Sequence, residues 1–251
     1  MLGFDTRGEG TPIVLLHGLT FDRSVWRPVA EGLGDGVRSV AIDLPGHGES
    51  PAFPGSVPEA IDELGDTLDQ LGIVEPILVG HSVSAILSLL IAAGRPVRGV
   101  VDVDQPLDPS GFAEFLQRIA PELRGDGFLP AVRSIFAGLG IERLPPSARE
   151  HVERIQRIDR DVVLGYWETL LSTDPAVLRA NNARLMAALG APFLGIFGNE
   201  LDPGNRAYLT ENLRDVTIET WGGDDGHLFF MAAPDRFAAK LLAFAERVGV
   251  S

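Results

Sequence analysis

The stretch Gly80-His81-Ser82-Val83-Ser84 lies between two apolar runs, PILV before it and AILSLLIAAG after it. The first run is short and bounded, as a buried strand would be. The second has the length and composition of a helix. A serine at a strand-to-helix junction sits on a tight, strained turn with its hydroxyl projecting at the top of the sheet. The helix that follows offers unpaired N–H groups and positive potential at its N-terminus. Such a site suits an oxygen nucleophile attacking a carbonyl. Of the two serines here, Ser82 stands at the turn. Ser84 falls two residues into the helix, where its hydroxyl bonds to nearby backbone. Serine is a weak nucleophile until a base takes its proton. Five histidines could serve as that base, namely His17, His47, His81, His151 and His227. Cysteine is absent, which removes thiol nucleophiles, disulfides and thiolate metal sites.

Short apolar runs and helical patterns alternate around this stretch. Strands are expected over 13–16, 37–42, 77–79, 99–103, 193–197 and 216–220. Helices are expected over 57–71, 83–93, 203–213 and 234–248. Alternation of this kind argues for an α/β chain with a mostly parallel, doubly wound sheet. The rhythm breaks once. From Pro106 to about Gly190 the pattern is helical, near 111–123, 128–139, 148–157, 161–171 and 175–189, with turns at Leu144-Pro145-Pro146-Ser147 and Thr173-Asp174-Pro175. Residues 1–105 and 190–251 thus form a core, and 106–189 a helical insertion. Ligands in open α/β sheets bind beyond the carboxyl ends of the strands. An insertion leaving from such an end would roof the site.

The 251-residue chain is 45% apolar, enough for a sizeable core. Its formal charge of −14 argues against nucleic acid and anionic membranes as partners. The start, MLGFDTRGEG, lacks the basic and apolar segments of a signal peptide. The longest apolar stretch is too short to span a bilayer. With the absence of cysteine, these features lead us to expect a cytoplasmic protein. They leave the oligomeric state open.

Several motifs fall in a characteristic order: His17-Gly18-Leu19 after an early strand, Asp43-Leu44-Pro45-Gly46-His47-Gly48-Glu49-Ser50 after the next, the Ser82 elbow, and Gly226-His227 near the end. Together they make the chain resemble the α/β-hydrolase superfamily over nearly its whole length. The fold implied is the α/β-hydrolase sheet with an inserted helical cap. One departure stands out. The superfamily's usual elbow is G-x-S-x-G, and here the last position is Ser84.

The resemblance implies roles for particular residues. His227 occupies the late loop, Gly222-Gly223-Asp224-Asp225-Gly226-His227, where the superfamily places its general base. His17, His47 and His81 are then structural, and His151 belongs to the inserted helices. The oxyanion donors implied are the backbone N–H groups of Leu19 and Val83. The acid that orients the histidine has two candidate sites. In the turn after the 193–197 strand, the usual position is Leu201, Asp202 is one step late and Glu200 one step early. Asp202 also stands where a cap for the following helix would stand. The alternative is Asp104, at the carboxyl end of the 99–103 strand. No metal or organic cofactor is implied, since no His-Glu-x-x-His and no dinucleotide fingerprint occurs.

The activity expected is hydrolysis of an ester, thioester, lactone or related carbonyl of a small, partly apolar substrate through an acyl-enzyme. The inserted helices carry Phe112, Phe115, Phe128, Phe136, Tyr166 and Trp167, some of which should line an apolar pocket. Two other readings share the fold: a lyase, carbon–carbon bond hydrolase or cofactor-free oxygenase, and a ligand receptor that kept the pocket.

Overall fold

The computed structural model describes residues 1–53, 55–222 and 226–249. Its centre is a seven-stranded sheet of β1 (Phe4–Arg7), β2 (Pro12–Leu16), β3 (Arg38–Ile42), β4 (Ile77–His81), β5 (Gly99–Val103), β6 (Phe193–Phe197) and β7 (Val216–Thr220). The spatial order is β1-β3-β2-β4-β5-β6-β7, and only β1 runs antiparallel to its neighbour. β4 and β5 are buried throughout, because both their faces are covered. That is why they read as continuous apolar runs. β1 is the strand the sequence pattern does not announce. Its FDTR lies at the edge, mostly exposed, and needs no apolar face.

Helices cover both sides. Outside the insertion they are α1 (Arg27–Leu33), α2 (Val57–Gln70) and α3 (Val83–Gly94). Between β5 and β6 lie α4 (Ser110–Arg118), α5 (Ala120–Arg124), α6 (Phe128–Ala137), α7 (Pro146–Ile155), α8 (Arg160–Ser172) and α9 (Pro175–Ala188). α10 (Pro203–Asn212), α11 (Phe229–Ala232) and α12 (Pro234–Arg247) complete the chain. The alternation of β2 shows the layering. Ile13 and Leu15 pack with α1 and α12 through Val29, Phe237 and Leu241. Val14 and Leu16 pack with α2 and α3 through Leu64, Leu68 and Leu87.

The helix expected over 111–123 is two helices. The chain leaves helical geometry at Ile119 (φ −100°, ψ 13°) and restarts with Pro121 in the first turn of α5. Proline there lacks only an N–H that the first turn leaves unpaired anyway. The insertion is tied to the rest of the chain by burial and by polar links. Val163, Tyr166 and Trp167 of α8 join the cluster that contains Leu16, Ile42 and Leu44. The N–H of Arg157 donates to the Thr20 carbonyl at 2.8 Å, and His151 of α7 meets the Ser24 hydroxyl at 2.9 Å. Among the described residues, no helix is long and apolar enough to cross a membrane.

Candidate active site

Ser82 joins β4 to α3 with φ 56° and ψ −129°, a conformation that a residue with a side chain rarely adopts. Its N–H donates to the Val103 carbonyl of β5 at 3.0 Å, which anchors the turn to the neighbouring strand. Gly80 makes the turn sterically possible. A Cβ there would lie 2.1 Å from the Ser84 carbonyl oxygen. Ser84 is fully buried, and its Oγ donates to the His17 carbonyl at 2.5 Å. The serine standing in place of the superfamily's last glycine therefore ties α3 to the loop after β2.

That loop approaches the elbow closely. A Cβ at Gly18 would lie 3.2 Å from the Ser82 Cβ and 2.7 Å from His81 Nδ1, so only glycine fits. Within the loop, the Thr20 N–H donates to His47 Nε2 at 3.1 Å and the Phe21 N–H to the Gly18 carbonyl at 3.3 Å. His17 Nε2 accepts from the Leu44 N–H at 3.0 Å, while its Nδ1 donates to the Gly18 carbonyl at 2.8 Å. Burial pushes the imidazoles down to about 4 at His17 and about 3 at His47. Both are neutral braces of the loop at ordinary pH.

His227 follows the last strand. Gly223, Asp224 and Asp225 of its loop lie outside the described residues. Three contacts fix the histidine. Its Nδ1 donates to Asp104 Oδ2 at 2.7 Å. Its backbone N–H donates to the Leu139 carbonyl of the insertion at 2.9 Å. Its own carbonyl accepts from His81 Nε2, also at 2.9 Å. His81 is fully buried, its ring centroid lies 4.5 Å from that of His227, and burial holds its pKa well below the usual value. His81 thus directs its Nε2 to the backbone of His227.

Of the two candidate acids, the structure sets Asp104 against His227. Asp104 itself has φ 61°. Its second oxygen, Oδ1, accepts from the Gly198 N–H at 2.8 Å. Gly198 opens the very turn that carries Asp202, and a Cβ there would lie 2.4 Å from the Gly226 carbonyl. The end of β6 thus serves as a seat for the His227 loop and a donor to the β5 acid. Asp202 does not reach His227. Its Oδ1 caps α10 by accepting from the N–H groups of Gly204 (2.8 Å) and Asn205 (3.1 Å). The Asn205 side chain and these N–H groups hold its carboxyl below the usual range. Glu200 accepts from the Thr220 hydroxyl at 3.2 Å, and Leu201 is buried. Asp102, two residues before Asp104, is fully buried, and burial drives its carboxyl toward the neutral form.

Ser82, Val83, Leu19, Asp104, Asp202 and His227 all line one cavity of about 730 Å³. The insertion contributes Phe112, Phe136, Leu139 and Trp167 to it. Two backbone groups that hold Asp104 and His227 are not anticipated by the sequence motifs. Gly198 is visible as a glycine directly after a strand, a usual sign of close backbone approach. The Leu139 carbonyl has no signal in the sequence, since any residue carries one.

A model of the Alpha/beta hydrolase family matches residues 13–240. The chain belongs to that family. A putative non-heme haloperoxidase of Mycobacterium phage D29 is 35% identical over 97% of this chain and 90% of its own. A pimeloyl-[acyl-carrier protein] methyl ester esterase of Vibrio vulnificus is 25% identical over 98% of both chains. A dihydrolipoyllysine-residue acetyltransferase component of the acetoin cleaving system of Pseudomonas putida is 27% identical over 97% of this chain, which spans 66% of that protein's length. Among solved structures, a thermophilic esterase from Thermogutta terrifontis has a TM-score of 0.79 at 22% identity, covering 98% of this chain and 93% of that one.

Proposed function

We propose that this protein is a serine hydrolase that cleaves small, partly apolar esters, or related carbonyl compounds, through an acyl-enzyme. His227 Nε2 takes the Ser82 hydroxyl proton as Oγ attacks the carbonyl carbon. Asp104 holds the imidazole by its Nδ1–H and stabilises the imidazolium that forms. The N–H groups of Leu19 and Val83 receive the negative oxygen. The tetrahedral adduct collapses, His227 returns the proton to the leaving alcohol, and an ester forms on Ser82. A water, deprotonated by His227, then attacks that ester and releases the acid. Residues 106–189 act as the cap over this site.

The observation that carries this reading is a serine at φ 56° sharing one cavity with a histidine whose Nδ1 lies 2.7 Å from a carboxylate. The esterase named among the relatives supports the choice of ester. Intact mass after treatment with a fluorophosphonate tests it. The expected result is one adduct on wild type, none on Ser82→Ala, and labelling slowed more by Asp104→Asn than by Asp202→Asn. A folded wild type that takes no adduct would overturn it.

The relative named as a haloperoxidase favours a second reading. If hydrogen peroxide replaced water in the second step, the acyl group would leave as a peracid. Halide oxidation dependent on both peroxide and a carboxylic acid, and lost in Ser82→Ala, is the mark of that activity.

A further inference from the structure

The walls of the active-site cavity differ in chemistry. One is apolar and comes from α4, α6 and α8. There Phe112 meets Trp167 edge-on with centroids 5.7 Å apart, and Phe136 lies 6.2 Å from the same indole. The apolar face that these packed rings present to the cavity suits an aryl or similar flat apolar group. Another wall comes from the loop after β5, from α9 and from the start of α10. It carries Asp108, Arg179, Asn182, Asp202 and Asn205.

Arg179 is the only arginine or lysine among the described residues of this lining. It is not available as an anion receptor. Its guanidinium is paired with Asp108, and it stacks 4.5 Å above the Tyr208 ring. Asp108 is largely buried, with its side chain 14% exposed, while Arg179 is 47% exposed. One N–H of the Asn182 amide donates to the Leu107 carbonyl at 3.0 Å. Asn205 Oδ1, in contrast, is buried and has no hydrogen-bond partner among the described residues. With no surface open to the cavity, that oxygen does not serve a ligand. With Asp104, Asp108 and Asp202 against Arg179, the cavity holds an excess of carboxylates. An anionic substrate group would meet repulsion there.

We propose that the substrate is an ester joining an aryl-sized apolar group to a second group that is neutral or cationic, and that Asp108 enforces this charge selection by neutralising Arg179. The proposal rests on the serine-hydrolase reading for its chemistry but not for its binding preference. On this view Arg179 is a latent anion site. Removing the charge of Asp108 exposes it.

Three phenylacetate esters provide the test: the 2-(dimethylamino)ethyl ester, protonated at neutral pH, the neutral 3-methylbutyl ester, and the anionic carboxymethyl ester. Wild type should favour the cationic over the anionic ester by roughly tenfold or more in kcat/KM, and the gap should narrow with salt. Asp108→Asn should reverse or abolish that order, and Asp108→Asn with Arg179→Gln should remove charge preference altogether. Trp167→Ala should cut the advantage of phenylacetyl over acetyl esters. Calorimetric binding of the same three esters to Ser82→Ala reads the preference without turnover. If no ester is hydrolysed but that binding order holds, the catalytic reading fails and this one stands. Equal or tighter binding of the anionic ester by Ser82→Ala, or an order unmoved by a folded Asp108→Asn, overturns it.

Discussion

His81 Nε2 lies 2.9 Å from the carbonyl oxygen of His227, so the residue before the candidate nucleophile holds the backbone of the candidate base. The two groups are 146 positions apart in the chain. This bond makes one buried imidazole one of the three contacts that hold His227 in place beside the Ser82 turn. His81→Phe keeps a ring of similar size and deletes the donor. The His227 carbonyl loses its partner, which should cost about 1–3 kcal/mol of stability. If His81 positions the base, kcat should fall about tenfold or more with KM little changed, since small misplacements cost rate. His81→Gln, which retains an N–H donor, should recover part of it. Urea titrations and steady-state kinetics on both variants check this.

Asp104 and Asp202 should respond in opposite ways. Asp104→Asn leaves His227 without its carboxylate and should slow fluorophosphonate labelling by about a hundredfold or more. Asp202→Ala removes the cap of α10 and should lower the melting temperature by about 2–4 °C while leaving labelling nearly unchanged. Thermal melts and labelling rates, measured side by side, separate a triad acid from a helix cap. Equal slowing by both substitutions would count against Asp104 as the sole partner.

Ser84 is a brace in this structure. Ser84→Ala strands the His17 carbonyl and should cost about 1–2 kcal/mol. The covalent adduct should still form, and peptide mapping should still place it on Ser82. An adduct that moves or vanishes only with Ser84 would reverse the assignment of the two serines.

Acid should destabilise the fold through His17 and His47. An unfolded histidine titrates near 6.5, whereas burial pushes these to about 4 and about 3. Between those limits the unfolded chain binds protons that the folded chain refuses. Stability is therefore full above about pH 6.5 and drains as pH falls toward 4, by an amount on the order of 3 kcal/mol per group. Urea midpoints at three pH values across that window measure the slope. A His47→Gln variant that folds should show a shallower slope, and an unchanged one would exclude His47 from the linkage.

Much of this molecule was legible in the chain. Buried parallel strands must be apolar on both faces, so β2 to β6 announced themselves as runs. The glycine-serine elbow is local, because its strain and its helix N-terminus arise within a few residues. Ser82 and the late-loop histidine could therefore be put forward as candidates from motif and order, and they line one cavity. β1 escaped because an edge strand needs main-chain partners and no particular side chains.

Which of the two carboxylates faces His227 is set only in three dimensions. In one dimension Asp202 and Asp104 are both carboxylates just past a strand. Their difference lies in where β5 and β6 end relative to the His227 loop. Gly198 brings that loop down onto β6 and donates its N–H to Asp104, while Asp202 turns away to cap α10. The same holds for the Leu139 and His227 carbonyls and for the pairing of Asp108 with Arg179. Local chemistry is written in neighbouring residues, but a contact between distant segments exists only once the sheet and the insertion have packed.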